Sequence, residues 1–519
     1  MGCGGSKDDV GGGGLSQAAR GAAGGRTRTP EQIQLSRQQK QANETKDGGN
    51  IDGALSMMYE VLQGREVHCG KSAPETCETV YMIGQCYQDL NRLDEALPMY
   101  LRALEGYETG LGPEHPDTLI ILESIASVFV AQKKLSEAAD MYDKVVGGYE
   151  KAQGIGANHQ HTLFALESYG MVMWAMGNFE GSCKAYRTAH TRRVEAMGED
   201  HVLTLRACHS LGSILQRLGK RDDALAMYYK ALAGRERTLG MGNAETLQSA
   251  DSYGALLFEA AHFDQALDIY QRSLEAREKE LGLAHPDTLD TAHNVAVVLQ
   301  KQFKLEEAYD MYQWALAGSE QAYGLNHPDT YNTYNNLGTL VGDQGRHDEA
   351  LGFYEQGAEG RKNALGETHA DTLTARGNAC IMLYYVGRHD EAAEGFAKVA
   401  AGREATLGSR THPLVLTTLH NQAVNAVARG DLASAAKQLE FVLAERRKLQ
   451  PPTTPDSAPV LTAAHNLGVV LLRSGDYKAA QALFAEAAEG RARLLGPEHQ
   501  DAQDSRFNLG VASQYAADQ

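Results

Sequence analysis

The chain has 519 residues, more than a single core usually organises, so several domains or an array of repeats is expected. Hydrophobic residues at 43% and charged residues at 22% place it among soluble, folded chains. A net charge of −18, from 49 Lys+Arg against 67 Asp+Glu, argues against nucleic acid as a partner. No apolar run reaches the roughly 20 residues that span a bilayer.

Residues 1–30 are Gly-rich and are expected to be a disordered tether. The opening "MGCGGSK" fits M-G-x-x-x-[ST], with Gly2 as a myristoylation site once Met1 is removed and Cys3 beside it as a palmitoylation site. One myristoyl chain holds a membrane only marginally, so the second acyl group would make the attachment stable. No apolar signal-peptide core is present, so the expectation is a cytoplasmic protein, peripheral on the inner face of a plasma or ciliary membrane. Seven cysteines without any CxxC indicate neither a disulfide framework nor a zinc site, and Cys69, Cys77 and Cys86 read as free thiols.

From residue 31 onward the pattern is helical. Glu31–Lys46 and Ile51–His68 form a first helix pair, and then a phrase begins to recur. "LGPEHPDTL" at 111–119 returns as "LGLAHPDTL" at 281–289 and "YGLNHPDTY" at 323–331. Its Thr falls at Thr76, Thr118, Thr162, Thr204, Thr246, Thr288, Thr330 and Thr372, in steps of 42, 44 and then 42 five times. The phase continues through Val415, Val460 and Ala502. Positions below are counted from this residue.

Position 15 is Gly in six periods, position 20 is Ala in nine, and position 24 is Tyr from Tyr100 to Tyr354. A small residue followed four places later by a ring lies on one helical face, and Gly between apolar helical runs signals a turn. Each period is therefore helix A, a tight turn and helix B. The phrase itself is punctuation. Gly closes helix B, Pro opens the next helix A, and Asp meets the positive end of its dipole. His115, His285 and His327 accordingly read as helix-start residues rather than catalytic or metal ligands.

Gly at 15, Ala at 20, an aromatic at 24 and a small residue at 8 (Gly84, Ala126, Gly170, Gly212, Gly254, Ala296, Gly338) resemble the tetratricopeptide repeat. The 42-residue period and "GRHDEALGFYEQGAEGRKNALG" (345–366) look like its kinesin-light-chain type. The motor-binding heptads of that type have no counterpart in the first fifty residues. The resemblance implies an all-α fold, a right-handed superhelical solenoid of antiparallel helix pairs. Over 31–519 this makes about ten pairs and a capping helix, Asp501–Tyr515, with the Pro-rich Gln450–Pro459 as a loop.

In such superhelices helix A lines a concave groove, and Asn at position 6 bonds the backbone of an extended peptide. Here position 6 reads Asn294, Asn336, Asn378, Asn421, Asn466 and Asn508, whereas the N-terminal half carries Met82 and then serines. An amide suits a peptide bond whatever its side chain; the alternative is that these Asn bridge neighbouring helices. Position 5 adds His209, His293, His420 and His465, without a Cys or acidic cluster to complete a zinc site. Position 31 carries Arg193, Arg235, Arg277, Arg361, Arg403, Arg446 and Arg491, read as ties between repeats. Lys or Arg at positions 2 and 6, which grip terminal carboxylates in chaperone-type relatives, are missing from the Asn half.

No G-x-x-x-x-G-K-[ST], G-x-S-x-G or H-E-x-x-H occurs, so no cofactor, small-molecule substrate or catalysis is expected. The reading is a non-enzymatic scaffold for protein or peptide partners, tethered to a membrane by acylation. A kinesin-light-chain-like cargo adaptor and a structural subunit of a cytoskeletal or ciliary assembly are the alternatives.

Overall fold

A computed structural model describes residues 29–449 and 457–517; Gly2, Cys3 and the rest of the tether lie outside them, as does 450–456. Among the described residues there are 23 α-helices, no strand, and no helix long and apolar enough to cross a membrane. The chain divides into two compact units at His262/Phe263. Odd-numbered helices are A helices and even-numbered ones B helices.

The first unit runs α1 (Pro30–Asp47), α2 (Ile51–His68), α3 (Pro74–Asp89), α4 (Leu93–Leu111), α5 (Pro116–Ala131) and α6 (Leu135–Lys151). It continues through α7 (Gln160–Ala175), α8 (Phe179–Met197), α9 (Val202–Arg217), α10 (Arg221–Leu239) and α11 (Ala244–Glu259). The second unit opens with α12 (Phe263–Leu281), α13 (Pro286–Lys301), α14 (Leu305–Tyr323), α15 (Pro328–Asp343), α16 (His347–Leu365) and α17 (Ala370–Tyr385). It ends with α18 (His389–Leu407), α19 (Pro413–Ala428), α20 (Leu432–Leu449), α21 (Ala458–Ser474), α22 (Tyr477–Leu495) and α23 (Gln500–Ala517).

In chain order this is eleven A–B pairs and a final A helix, one pair more than the ten expected. Each of the ten register positions from Thr76 to Val460 opens a pair, and the pair before Thr76 makes the eleventh. The Pro-rich stretch also ends earlier than expected, because Ala458 and Pro459 already belong to the first turn of α21.

The repeated phrase closes one helix and starts the next. The Gly after helix B takes a positive φ, 94° at Gly112 and 95° at Gly366, a region open to glycine. The following His caps helix A. Its Nδ1 accepts from the backbone N–H two residues on, as in His115, His285 and His327 at 3.2–3.4 Å. The Thr hydroxyl reaches back to the carbonyl of that Gly, at 2.9 Å from Thr118 and from Thr372. These register Thr residues are buried from Thr76 to Thr372, which explains their recurrence.

Position 20 is fully buried in every period from Ala96 to Ala480, and position 24 is buried from Tyr100 to Phe484. The ring lies over the small residue at position 8 of helix A: a Cβ on Gly212 would come within 2.9 Å of Tyr228. A second interlock was not visible in the sequence. Leu at position 1 of helix A fills the space beside Gly at position 30 of helix B, so a Cβ on Gly234 would lie 2.3 Å from Leu205 Cδ2. Within each unit, contacts join each helix to its chain neighbours, the arrangement of a repeat solenoid.

Candidate functional site

Positions 2, 6, 9 and 13 of a helix fall on one stripe. In the A helices of the second unit that stripe meets solvent: Asn332, Thr374 and Thr417 are exposed, and the residues at positions 6 and 9 are half-buried. All six predicted asparagines lie there, Asn294 on α13, Asn336 on α15, Asn378 on α17, Asn421 on α19, Asn466 on α21 and Asn508 on α23.

Three of them are tied across repeats. Asn336 Nδ2 lies 3.0 Å from His293 Nε2, Asn466 Nδ2 lies 3.0 Å from His420 Nε2, and Asn378 Nδ2 donates to Asn335 Oδ1 at 3.4 Å. Position 6 of one repeat thus leans on position 5 of the repeat before it. Both readings of the Asn row meet here. The amides bridge neighbouring helices, yet each bridge uses one N–H, and the amide oxygen and second N–H make no bond among the described residues.

An amide that donates to His Nε2 needs a neutral ring with its proton on Nδ1. His293 Nδ1 lies 3.4 Å from Thr333 Oγ1, and that hydroxyl already donates to Asp329 O, leaving its oxygen as acceptor. His465 Nδ1 faces Ser505 Oγ in the same way at 3.0 Å. The rings of His209, His293 and His465 pack edge-on against the position-24 ring of their own repeat. Burial lowers the pKa of all four histidines, helped by Arg235, Arg446 and Arg491 in three of them, to about 4 in His209, His420 and His465. They work as hydrogen-bond hinges. Among the described residues no group of three or more His, Cys, Asp or Glu side chains is placed to hold a metal ion.

Most position-31 arginines tie helix B to the next helix A through neutral oxygens, and Arg235 adds the expected ion pair, Nη2 to the Glu245 carboxylate at 3.0 Å. Arg235 Nη1 donates to Glu245 O at 2.9 Å and Ser249 Oγ at 2.7 Å; Arg491 repeats this with Asp501 O and Ser505 Oγ. Arg446 Nη1 reaches Pro459 O at 2.8 Å, whereas Arg361 Nη2 reaches back to Asn332 Oδ1 on the A helix of its own repeat at 2.9 Å. Arg277 donates to Ser273 and Thr291 hydroxyls. Arg193 stays within its own repeat. Position 3 of the next helix A is Ala207, with no hydroxyl, and the guanidinium instead pairs with Glu167 at 2.9 Å.

The first unit differs at the same positions. Its stripe carries serines, and Glu123 at position 5 of α5 pairs with the Tyr149 hydroxyl at 3.2 Å rather than with an arginine. Burial pushes that carboxyl up to about 7. Sequence reasoning missed the coupling of positions 5 and 6. The signal was present in His293/Asn336, Asn335/Asn378 and His420/Asn466, but it appears only when one repeat's position 5 is read against the next repeat's position 6.

Among solved structures, the chain is similar to a Podosopora anserina putative kinesin light chain with nearly identical TPR-like repeats. Identity is 21% and the TM-score 0.37, over 40% of this chain and 99% of that one. It is also similar to BtubC (BKLC) from P. vanneervenii, at 17% and 0.38 over 46% and 94%. The apo form of RapI matches at 13% and 0.48, over 72% and 98%. Nothing among curated proteins matches. The sequence fits the tetratricopeptide repeat pattern over 75–151, 161–237, 207–279, 287–363, 330–405 and 460–501, together more than half of its length. With helix pairs, turns and interlocking positions repeating through both units, the chain belongs to the tetratricopeptide repeat family, a protein-interaction scaffold.

Proposed function

We propose that the protein is a non-enzymatic adaptor that holds an extended peptide segment along the A-helix stripe of its second unit. The observation that carries this reading is the row of aligned amides, Asn336, Asn378 and Asn466, each fixed by a bond to the neighbouring repeat with its oxygen unspent. A fixed amide offers an acceptor and a donor to a peptide backbone without the entropy cost of ordering a free side chain. Half-buried Ile381, Val424 and Val469 beside them supply apolar contact for alternate side chains.

Replacing Asn336 and Asn378 together by Ala should remove about 1 kcal/mol per residue and weaken partner capture from a native lysate roughly thirtyfold. Unchanged capture by a variant whose circular dichroism matches wild type would overturn the reading.

The same proposal places the scaffold on the cytoplasmic face of a membrane through acylation at Gly2 and Cys3. With a C-terminal fluorescent tag, wild type should sit on membranes, Cys3→Ser should bind weakly and Gly2→Ala should be dispersed. Wild-type protein without acyl mass ends this part of the reading and leaves the peptide stripe untouched. Attachment to a motor or to a ciliary assembly would appear as the identity of the captured partner.

A further inference from the structure

One junction of the first unit breaks the repeated phrase. The step from Thr118 to Thr162 is 44 residues instead of 42, and where the phrase places Pro and Asp ahead of its Thr this junction reads Gln160 and His161. An acid in the first turn meets the positive end of the helix dipole, so a histidine there gives up a favourable contact. Local rules are broken most often at functional sites. The longer loop takes positive φ at Gly154 (81°) and Gly156 (87°), and Ile155 holds it against an apolar cluster that includes Leu119 and Tyr149. Between this loop and the junction of α4 with α5 lies a cavity of about 790 Å3, lined by Gly112, Gly154, Ile155 and three histidines, His115, His159 and His161.

His115 and His159 cap α5 and α7, each with Nδ1 accepting the backbone N–H two residues on, at 3.2 and 3.3 Å. A neutral imidazole that accepts at Nδ1 carries its proton on Nε2, so each ring keeps an Nε2–H donor. Neither donor has a hydrogen-bond partner among the described residues. Tyr149, His161 and His159 form a stack of three rings, with centroids 5.7 and 5.2 Å apart and interplanar angles of 25° and 28°. Burial and the neighbouring His159 lower the pKa of His161, which keeps that ring neutral. No Lys or Arg lines the cavity. Of its two carboxylates, Glu114 pairs with Lys151 at 3.7 Å and Asp117 is fully buried.

We propose that this cavity binds a planar heteroaromatic ring with hydrogen-bond acceptors on its edge, of the size of a purine nucleoside. The ring extends the Tyr149–His161–His159 stack and accepts from His115 Nε2–H. The volume lies within the range of about 300–1,000 Å3 usual for small-molecule sites. Phe and Trp side chains would stack equally well but offer no acceptor to an imidazole N–H. A phosphate meets no cation here, so a nucleoside fits where its nucleotide does not. The site belongs to the junction loops of the first unit and does not depend on what the asparagines of the second unit hold.

The test titrates the full chain with adenosine, AMP and tryptophanamide by isothermal titration calorimetry. Adenosine should bind at one site with a dissociation constant of about 0.1 mM, the affinity that the usual efficiency of drug-sized ligands gives. AMP and tryptophanamide should bind more weakly. His159→Asn removes the outer ring of the stack and keeps the helix cap, because Asn243 already caps α11 through Glu245 N–H at 2.9 Å. His161→Asp restores the phrase and sets an acid beside Tyr149, as Asp117 stands beside Tyr107. Both variants should melt with wild type and bind adenosine at least tenfold more weakly; should one fold poorly, the other decides. Wild type that binds no adenosine, or folded variants that bind it as wild type does, overturn the proposal. AMP or tryptophanamide binding as tightly as adenosine overturns the assignment of ligand class.

Discussion

At the scale of single residues, the position-5 histidines give the protein a defined response to acid. His209, His420 and His465 bind a proton near 6.5 when unfolded but only near pH 4 when folded. Above pH 6.5 both states are neutral and the histidines cost nothing. Between pH 6.5 and 4 the unfolded chain takes up protons that the folded chain cannot, so stability falls as pH falls. Each site accounts for on the order of 1–3 kcal/mol when the shift is fully expressed. A protonated ring also loses the Nε2 acceptor that holds Asn336 or Asn466. Melting temperature should therefore decline from pH 7 to pH 4.5, and the variant His420→Asn/His465→Asn should decline less. Asn is the substitute because Asn335 already fills this position in a working pair. Equal slopes in the two proteins would remove these histidines from the account.

At the scale of the element, helix propensity and packing oppose each other, and the second unit holds both cases. A helical Gly costs about 1 kcal/mol relative to Ala. Gly352 in α16 has open space where a Cβ would stand, so Gly352→Ala should stabilise by about that amount. Gly318 in α14 faces Leu289, whose Cδ2 would lie 2.4 Å from the new Cβ. Gly318→Ala should destabilise by about 1–3 kcal/mol despite the better propensity. Leu289→Ala alone should cost about 2–5 kcal/mol, and the double variant should cost less than the sum because the clash disappears with the leucine. Urea midpoints measure all four. Additive costs in the double variant would mean that the Leu–Gly interlock is not the contact under load.

At the scale of the whole molecule, each unit is a succession of neighbour contacts, so ends matter more than they do in a compact domain. α23 closes the second unit: Ala512 joins Ala480 and Phe484 in one apolar cluster, and Ser505 satisfies both His465 and Arg491. A chain stopped after Gly496 would expose Phe484 and leave the Arg491 guanidinium without Asp501 O and Ser505 Oγ. Such a protein should show hydrogen exchange in α21 and α22 at least tenfold faster than in the intact chain, with α13–α16 little changed. Uniformly faster exchange would argue for one cooperative unit instead of a sum of repeats.

The period, the helix pairs and the punctuation were legible in the sequence because their causes are local. A Gly at positive φ, a His or Pro at a helix start, and an Ala–Tyr pair four residues apart act within one or two turns, so they leave a mark at fixed spacing. The tie between helices at position 31 was legible in outline only; that it runs to Glu245 O, Ser249 and Ser505 as well as to the Glu245 carboxylate depends on atoms brought from the following helix. The pairing of Asn336 with His293 spans 43 residues, and nothing in either repeat alone requires it. Tertiary structure decided which amides are tied, because those relations exist only once repeats stack.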